Sequence, residues 1–417
     1  MEIYQLILHI SIYAYIILMP LIYSKFRLMG VPFNGDILLA FIVLIYILGL
    51  LIFRGIRKNF IAGIKKFFTD YLSLSILALI LIMAASLTYA ENKILVIKET
   101  VRFASYIILY FIILCEGCNK RLLDGILRCY IGVSAIIGCI GLYDYFTGIG
   151  MVQTETYGSR VRISSTLENS NNLGVFFILI IFPVVMLAIK ERNKKKKELY
   201  IALSVIFFLN IIFSFSRNAW LAFAIGCGIF AITYSIKFLF VLIPVGGLSL
   251  FIPQIAIRIK EIADVSQNTS RIKVWKIAEM IIKDYPGRGI GSGNFPVVSA
   301  RYMEQKPGLK TQNFIPYHPH NIFLKIQCEL GVFGSIAFAA IIVSIGIKLR
   351  SFIKNVDDKF YAAFYKGFCI SVIAFMITNL VDSFFSAPKV IAFFWISLSV
   401  LQSYNIDKTE HMRQIKL

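Results

Sequence analysis

Long apolar runs, broken by short polar interruptions, alternate along most of the chain. Runs of about 17–23 residues are what a helix needs to cross the hydrocarbon core of a bilayer, where a helix satisfies its own backbone. The pattern predicts about twelve such spans. They begin near Ile3, Asp36, Tyr71, Val101, Gly125, Asn171, Leu199, Ser216, Lys237, Asn321, Phe360 and Pro388, each bounded by charge or by Gly, Pro and Asn. The expected fold class is an all-α integral membrane protein, a single polytopic membrane domain over residues 1–417 with a long loop between the ninth and tenth helices. The first run, Ile3 to Tyr23, lacks a basic leader and a small-residue cleavage site and is read as the first transmembrane helix.

Composition agrees: 58% of residues are hydrophobic and 16% charged, which excludes an ordinary soluble domain. The net charge of +20 would suggest nucleic acid in a soluble protein. Here much of the excess sits in short loops, so no nucleic-acid partner is expected and the charge reads as topology. Arg54, Arg57, Lys58, Lys65 and Lys66 follow the second span, Lys190, Arg192 and Lys194 to Lys197 the sixth, and Lys348, Arg350, Lys354 and Lys359 the tenth. All follow even-numbered spans, which puts both termini in the cytoplasm of a multi-pass cytoplasmic (inner) membrane protein. The seven cysteines are odd in number and none lies in a predicted external loop, so no disulfide framework follows. Cys115 and Cys118 form a lone CEGC without a second ligand pair.

Two external segments are long, Phe146 to Ser170 and Gln254 to Pro319. In the second, basic residues outnumber acidic ones ten to five, which suggests an anionic ligand on that face. Within it, Ser270 to Lys283 reads as a surface-lying helix with Ile272, Trp275 and Ile282 available for packing. The following GRGIGSGNF must bend sharply; with no preceding strand it is read as close backbone approach to a ligand or a neighbouring helix, not as a nucleotide loop.

Candidate chemistry gathers on the same side. His318 and His320 stand in HPHN at the mouth of the tenth span, where an imidazole can act as a general base or simply bind the helix end. A His-x-His pair could also bind zinc, but no third ligand has recognisable spacing, and no metal or cofactor is expected. Arg217, in FSFSRNAWLA, sits between two apolar runs, where a guanidinium either snorkels or meets an anion. Arg160 and Arg162 lie beside a Ser/Thr/Asn cluster suited to sugar hydroxyls and phosphate oxygens. Asp382, in TNLVDSFF, is a carboxylate at a span end that can pair with an arginine or orient a histidine.

Four stretches in order, RISSTLENSNNLG, FSFSRNAWLA, SRIKVWKIAEMIIKDYPGRGIGSGNF and HPHNIFLKIQCELGVFG, resemble the recurrent blocks of the O-antigen ligase/polymerase superfamily, membrane glycosyltransferases of the GT-C type. The first block departs from the family in having Ser165 and Ser170 where Gly and Pro are frequent. The resemblance implies transfer of a glycan from undecaprenyl diphosphate to an acceptor hydroxyl outside the cytoplasmic membrane, inverting and metal-independent. His320 matches the motif histidine, as catalytic base, and Arg217 and Arg271 match the motif arginines, as diphosphate ligands. Arg160, Arg162, Asn171, Arg288, His318, Asn321 and Asp382 are expected to support or bind substrate, and Glu329 to brace the tenth helix. The implied partners are the lipid-linked donor, a lipid or glycan acceptor and the bilayer. A ligase and a polymerase share this chemistry and differ in acceptor. A secondary transporter with two six-helix halves is the rival from another class, against which stand the absence of an obvious repeat and polar residues at the surface instead of the midplane.

Overall fold

The computed structural model describes residues 1–28, 31–117, 119–155, 158–234, 236, 240, 247, 251, 256–259, 269–310 and 315–414, without the side chains of 28, 31–32, 151–155, 158–160 and 405–414. Among these residues, seven helices are long and apolar enough to cross a membrane: Glu2–Leu21, Gly35–Ile52, Tyr71–Thr88, Lys120–Thr147, Ser170–Lys190, Ile322–Asn355 and Lys359–Thr378. The chain is thus a multi-pass, predominantly helical membrane protein. Further helices, Lys93–Glu116, Lys194–Phe213, Arg217–Thr233 and Pro388–Gln414, occupy other predicted positions. The first two carry charge in their opening turns, and Arg217–Thr233 is a shorter apolar helix. Most of the predicted ninth span, from Lys237, and Cys118 lie outside the described residues, as does part of the 254–319 segment.

The polar residues between the apolar runs start helices. Asn34, Asp70, Asn92, Asn169, Asn193, Ser216 and Asp358 each accept a backbone N–H from the first turn of the helix that follows. One element is not foreseen by the spans. Where the pattern gives a basic connection, Arg54–Thr69 is a helix. Its Ile56 is fully buried, and Phe60 and Phe67 pack their rings 5.7 and 5.6 Å from Phe111 while Arg54, Arg57, Lys58 and Lys65 stay exposed. Such a two-faced basic helix has the character of one that lies along a membrane interface. Two short antiparallel hairpins also depart from the all-helical expectation: Arg27–Leu28 with Val31–Pro32, and Met151–Glu155 with Gly158–Arg162.

The chain folds into two compact units. One comprises Met1–Tyr130, Ser270–Phe352 and Ile391–Leu417, the other Ile131–Thr269 and Ile353–Val390. In the first, Trp395 packs edge-on to Phe103 and Tyr110, and Lys348 pairs with Asp70. In the second, helix Ser170–Lys190 is the core, with 83% of its apolar window buried. Helix Lys359–Thr378 docks along it: Ser371 Oγ donates to the Ile178 carbonyl at 2.8 Å. A Cβ on Gly367 would fall 2.3 Å from the Phe182 carbonyl oxygen, so only glycine permits that approach.

Candidate functional site

Every non-glycine residue with positive φ among the described residues (Ser165, Glu168, Phe215 and His320) falls inside one of the four motif stretches. Left-handed backbone on ordinary L-residues costs roughly 1–3 kcal/mol each and persists where surroundings over-determine it, commonly at functional sites.

In the first unit the glycine stretch and the tenth predicted helix complete one another. Helix Ile322–Asn355 breaks at Gly331 (φ 64°, ψ −159°). The Val332 N–H turns to the carbonyls of Pro286 and Gly287 at 3.1 Å, so the Cys328 carbonyl loses its in-helix partner. Ile290 N–H donates to Cys328 O at 2.9 Å and Gly291 N–H to Glu329 O at 2.8 Å, restoring the bonds. A helix broken where its backbone is buried needs this repair. Gly289 (φ 71°) lies so close that a Cβ would stand 2.5 Å from the Glu329 carbonyl carbon. The Glu329 carboxylate accepts the Gly293 N–H at 2.8 Å, so it braces the glycine stretch. Close approach to a neighbouring helix is therefore what this stretch does. The helix before it, Thr269–Asp284, buries Val274, Ile277, Ala278 and Ile281. The packing face is thus centred away from the expected Ile272 and Trp275, which are half-buried.

The HPHN segment is fixed at both ends. Asn321 Oδ1 accepts the N–H groups of Phe323 and Leu324 at 2.9 and 3.1 Å, so Asn321 caps the helix. Upstream, Tyr317 OH donates to Glu99 Oε1 at 2.9 Å. Burial, and then the Glu99 charge, push the Tyr317 phenol up, so it stays a donor. Between these anchors His320 takes φ 50°, its N–H donates to His318 Nδ1 at 3.2 Å, and the rings lie 4.6 Å apart. With Nδ1 occupied as an acceptor, a neutral His318 carries its proton on Nε2 and presents a donor there.

Glu99 also pairs with Arg102 and, at 3.3 Å, with Lys325, which is 5% exposed. Sequence reasoning missed this buried cluster. Glu99 and Arg102 three apart in a largely apolar helix, and Lys325 and Glu329 four apart in the fourth motif, were the available signals. Arg271 is half-buried in the first turns of its helix. Arg288 is exposed with its guanidinium 5.1 Å from the centre of the Tyr89 ring.

In the second unit the arginines converge on one turn. Arg162 Nε donates to Ser214 O at 3.1 Å and another of its nitrogens to Asn171 Oδ1 at 3.1 Å. Arg258, 6% exposed and not singled out by the sequence reading, donates to Phe215 O at 2.9 Å. Both grip the left-handed turn directly before Arg217, the half-buried first residue of its helix. Asn171 is thus held by Arg162, while Asn169 caps the helix behind it. Arg160 pairs with Gln153 in the hairpin, and its side chain lies outside the described residues. Asp382 accepts the Ser383 N–H at 2.9 Å. Neighbouring Asn379 is fully buried, donating to Phe375 O and accepting from Phe384 N–H, both at 2.8 Å.

Residues 202–339 match the O-antigen ligase family. A protein of Rickettsia conorii named "Putative polysaccharide ligase" is 30% identical over 47% of this chain and 50% of its own length. A protein of that name from Rickettsia felis is 29% identical over 51% of this chain and 55% of its own length. One from Rickettsia bellii is 28% identical over 64% and 68%. The chain spans about half the length of the first of these curated relatives. Residues 202–339, which hold the second, third and fourth motif stretches, are thus similar to the O-antigen ligase family.

Proposed function

We propose that the protein is an O-antigen ligase-like glycosyltransferase that moves a glycan from undecaprenyl diphosphate to an acceptor hydroxyl on the outer face of the cytoplasmic membrane. The observation that carries the reading is the confinement of non-glycine left-handed backbone to the motif stretches, His320 and the turn before Arg217 included. His320 removes the acceptor proton as the hydroxyl oxygen attacks the anomeric carbon. The bond from that carbon to the diphosphate oxygen breaks, the configuration inverts, and undecaprenyl diphosphate departs with its negative charge matched by guanidinium groups. Arg217 and Arg271 take that role, without a metal. Arg162 and Arg258 hold the turn that sets Arg217.

In this reading the chain crosses the membrane about twelve times with both termini inside, in keeping with the Lys and Arg of the short loops, and the 254–319 segment lies outside, since long loops translocate regardless of charge. The relatives named as polysaccharide ligases favour an acceptor other than the growing carrier-linked chain, hence ligase over polymerase. Purified protein incubated with labelled lipid-linked glycan and candidate acceptors tests it. Label appearing on the acceptor with release of undecaprenyl diphosphate is expected; solute counterflow without transfer refutes it.

A further inference from the structure

A cavity of about 370 Å3, within the range of small-ligand sites, opens in the first unit. Its wall takes His9 from the first helix, Asn59 from the interfacial helix Arg54–Thr69, and Glu116, Lys120 and Arg121 from either side of the turn between helices Lys93–Glu116 and Lys120–Thr147.

The charges around this turn run against the helix dipoles. Glu116 is the last residue of its helix, where the carbonyl end disfavours a carboxylate. Lys120 and Arg121 open the next, where the amide end disfavours cations. Each therefore gains from an opposite charge brought from outside the helices. Glu116 is 4% exposed, and Asn59 bonds its carboxylate while Oε1 has no hydrogen-bond partner. A buried acid left so is costly unless a donor or cation completes it.

The depth identifies the kind of molecule. Asn59 sits on a helix of interfacial character, so the cavity lies at headgroup level. Beside His9 the first helix exposes Ile3, Leu6, Ile7 and Ile10, an apolar track along which an acyl chain can run. We propose that this cavity binds the phosphoethanolamine headgroup of a membrane lipid, its ammonium donating to Glu116 and its phosphate meeting Lys120 and Arg121. The site is independent of the transfer reaction.

Native mass spectrometry of the full chain, delipidated and titrated with phosphatidylethanolamine, its mono- and dimethylated forms, phosphatidylcholine and phosphatidylglycerol, reads the preference directly. Retention of phosphatidylethanolamine about tenfold above phosphatidylcholine and phosphatidylglycerol is expected, falling as methyl groups replace the N–H donors. The isosteric Glu116→Gln should erase the discrimination between ethanolamine and choline lipids, and Arg121→Ala should weaken every phospholipid. Competition by soluble glycerophosphoethanolamine marks the headgroup as sufficient, and its failure with the preference intact marks the acyl chains as part of the ligand; either supports the site. Equal retention of all lipids by the wild type, or an ethanolamine preference that survives in folded Glu116→Gln, overturns it. The methylation series needs no variant, so a poorly folding Gln protein leaves the test in force.

Discussion

Replacing Gly289 with Ala probes the repair of the broken helix. The new Cβ would stand 2.5 Å from the Glu329 carbonyl carbon, against an optimum of about 3.5–4.0 Å between carbons, so the glycine stretch must retreat by roughly 1 Å. That retreat lengthens the Ile290–Cys328 and Gly291–Glu329 bonds, now 2.9 and 2.8 Å, beyond hydrogen-bonding range. Each buried pair left unmade costs about 1–3 kcal/mol, and a left-handed Ala adds roughly 1–2 kcal/mol. The total comes to about 3–5 kcal/mol once partial relaxation is allowed, a large share of a typical folding free energy. Unfolding followed by near-ultraviolet circular dichroism in mixed micelles measures it. Gly287 supplies the control, because a Cβ there meets nothing within 4 Å and its φ is not left-handed. Gly287→Ala should be neutral or stabilising by up to about 1 kcal/mol. A Gly289→Ala protein within about 1 kcal/mol of wild type would refute the close-packed repair.

His320→Ala should lower transfer by about 10²–10⁴-fold while leaving donor binding measurable, with His318→Ala milder; normal turnover in the first removes the base. Arg217→Lys and Arg271→Lys should each raise the donor concentration needed for half-maximal transfer, since an ammonium lacks the planar fork, and fully active Ala variants would take either residue out of the site. Tyr317→Phe removes the hydroxyl that ties the segment to Glu99 and Arg102, so turnover should fall with donor affinity preserved; an unchanged rate would mean that the Asn321 cap alone holds the histidines. A chelator should leave wild-type transfer intact, and inhibition reversed by added zinc would sink the metal-free mechanism.

The sequence made the helices legible because apolar length and capping residues are local signals. The glycine stretch could be read too, since four glycines at alternate positions imply backbone that other residues cannot adopt. The break at Gly331 could not: one glycine in an apolar run looks the same whether the helix bends there or continues. Nor could the Glu99 cluster be assembled, because its partner Lys325 lies 226 residues away and an isolated acid near a span start reads as a boundary charge. Arg54–Thr69 does not stand out as a helix because its apolar residues form no long run and recur with helical spacing among cations. Asn171, expected to bind substrate, is held by Arg162, a bond between residues nine apart that span spacing does not reveal.

The burial of helix Ser170–Lys190 sets an order of events during synthesis. Its docking partner, Lys359–Thr378, emerges from the ribosome roughly 170 residues later, which at about 5–20 residues per second is on the order of ten to thirty seconds. Throughout that interval the most apolar core helix of its unit rests against lipid, or against the insertion machinery, with its eventual Ser371 and Gly367 contacts not yet made. The long uncharged face that suits it to the protein interior also makes the bilayer a tolerable waiting place. A chain truncated before Lys359 should therefore insert normally yet never acquire protease resistance in this unit.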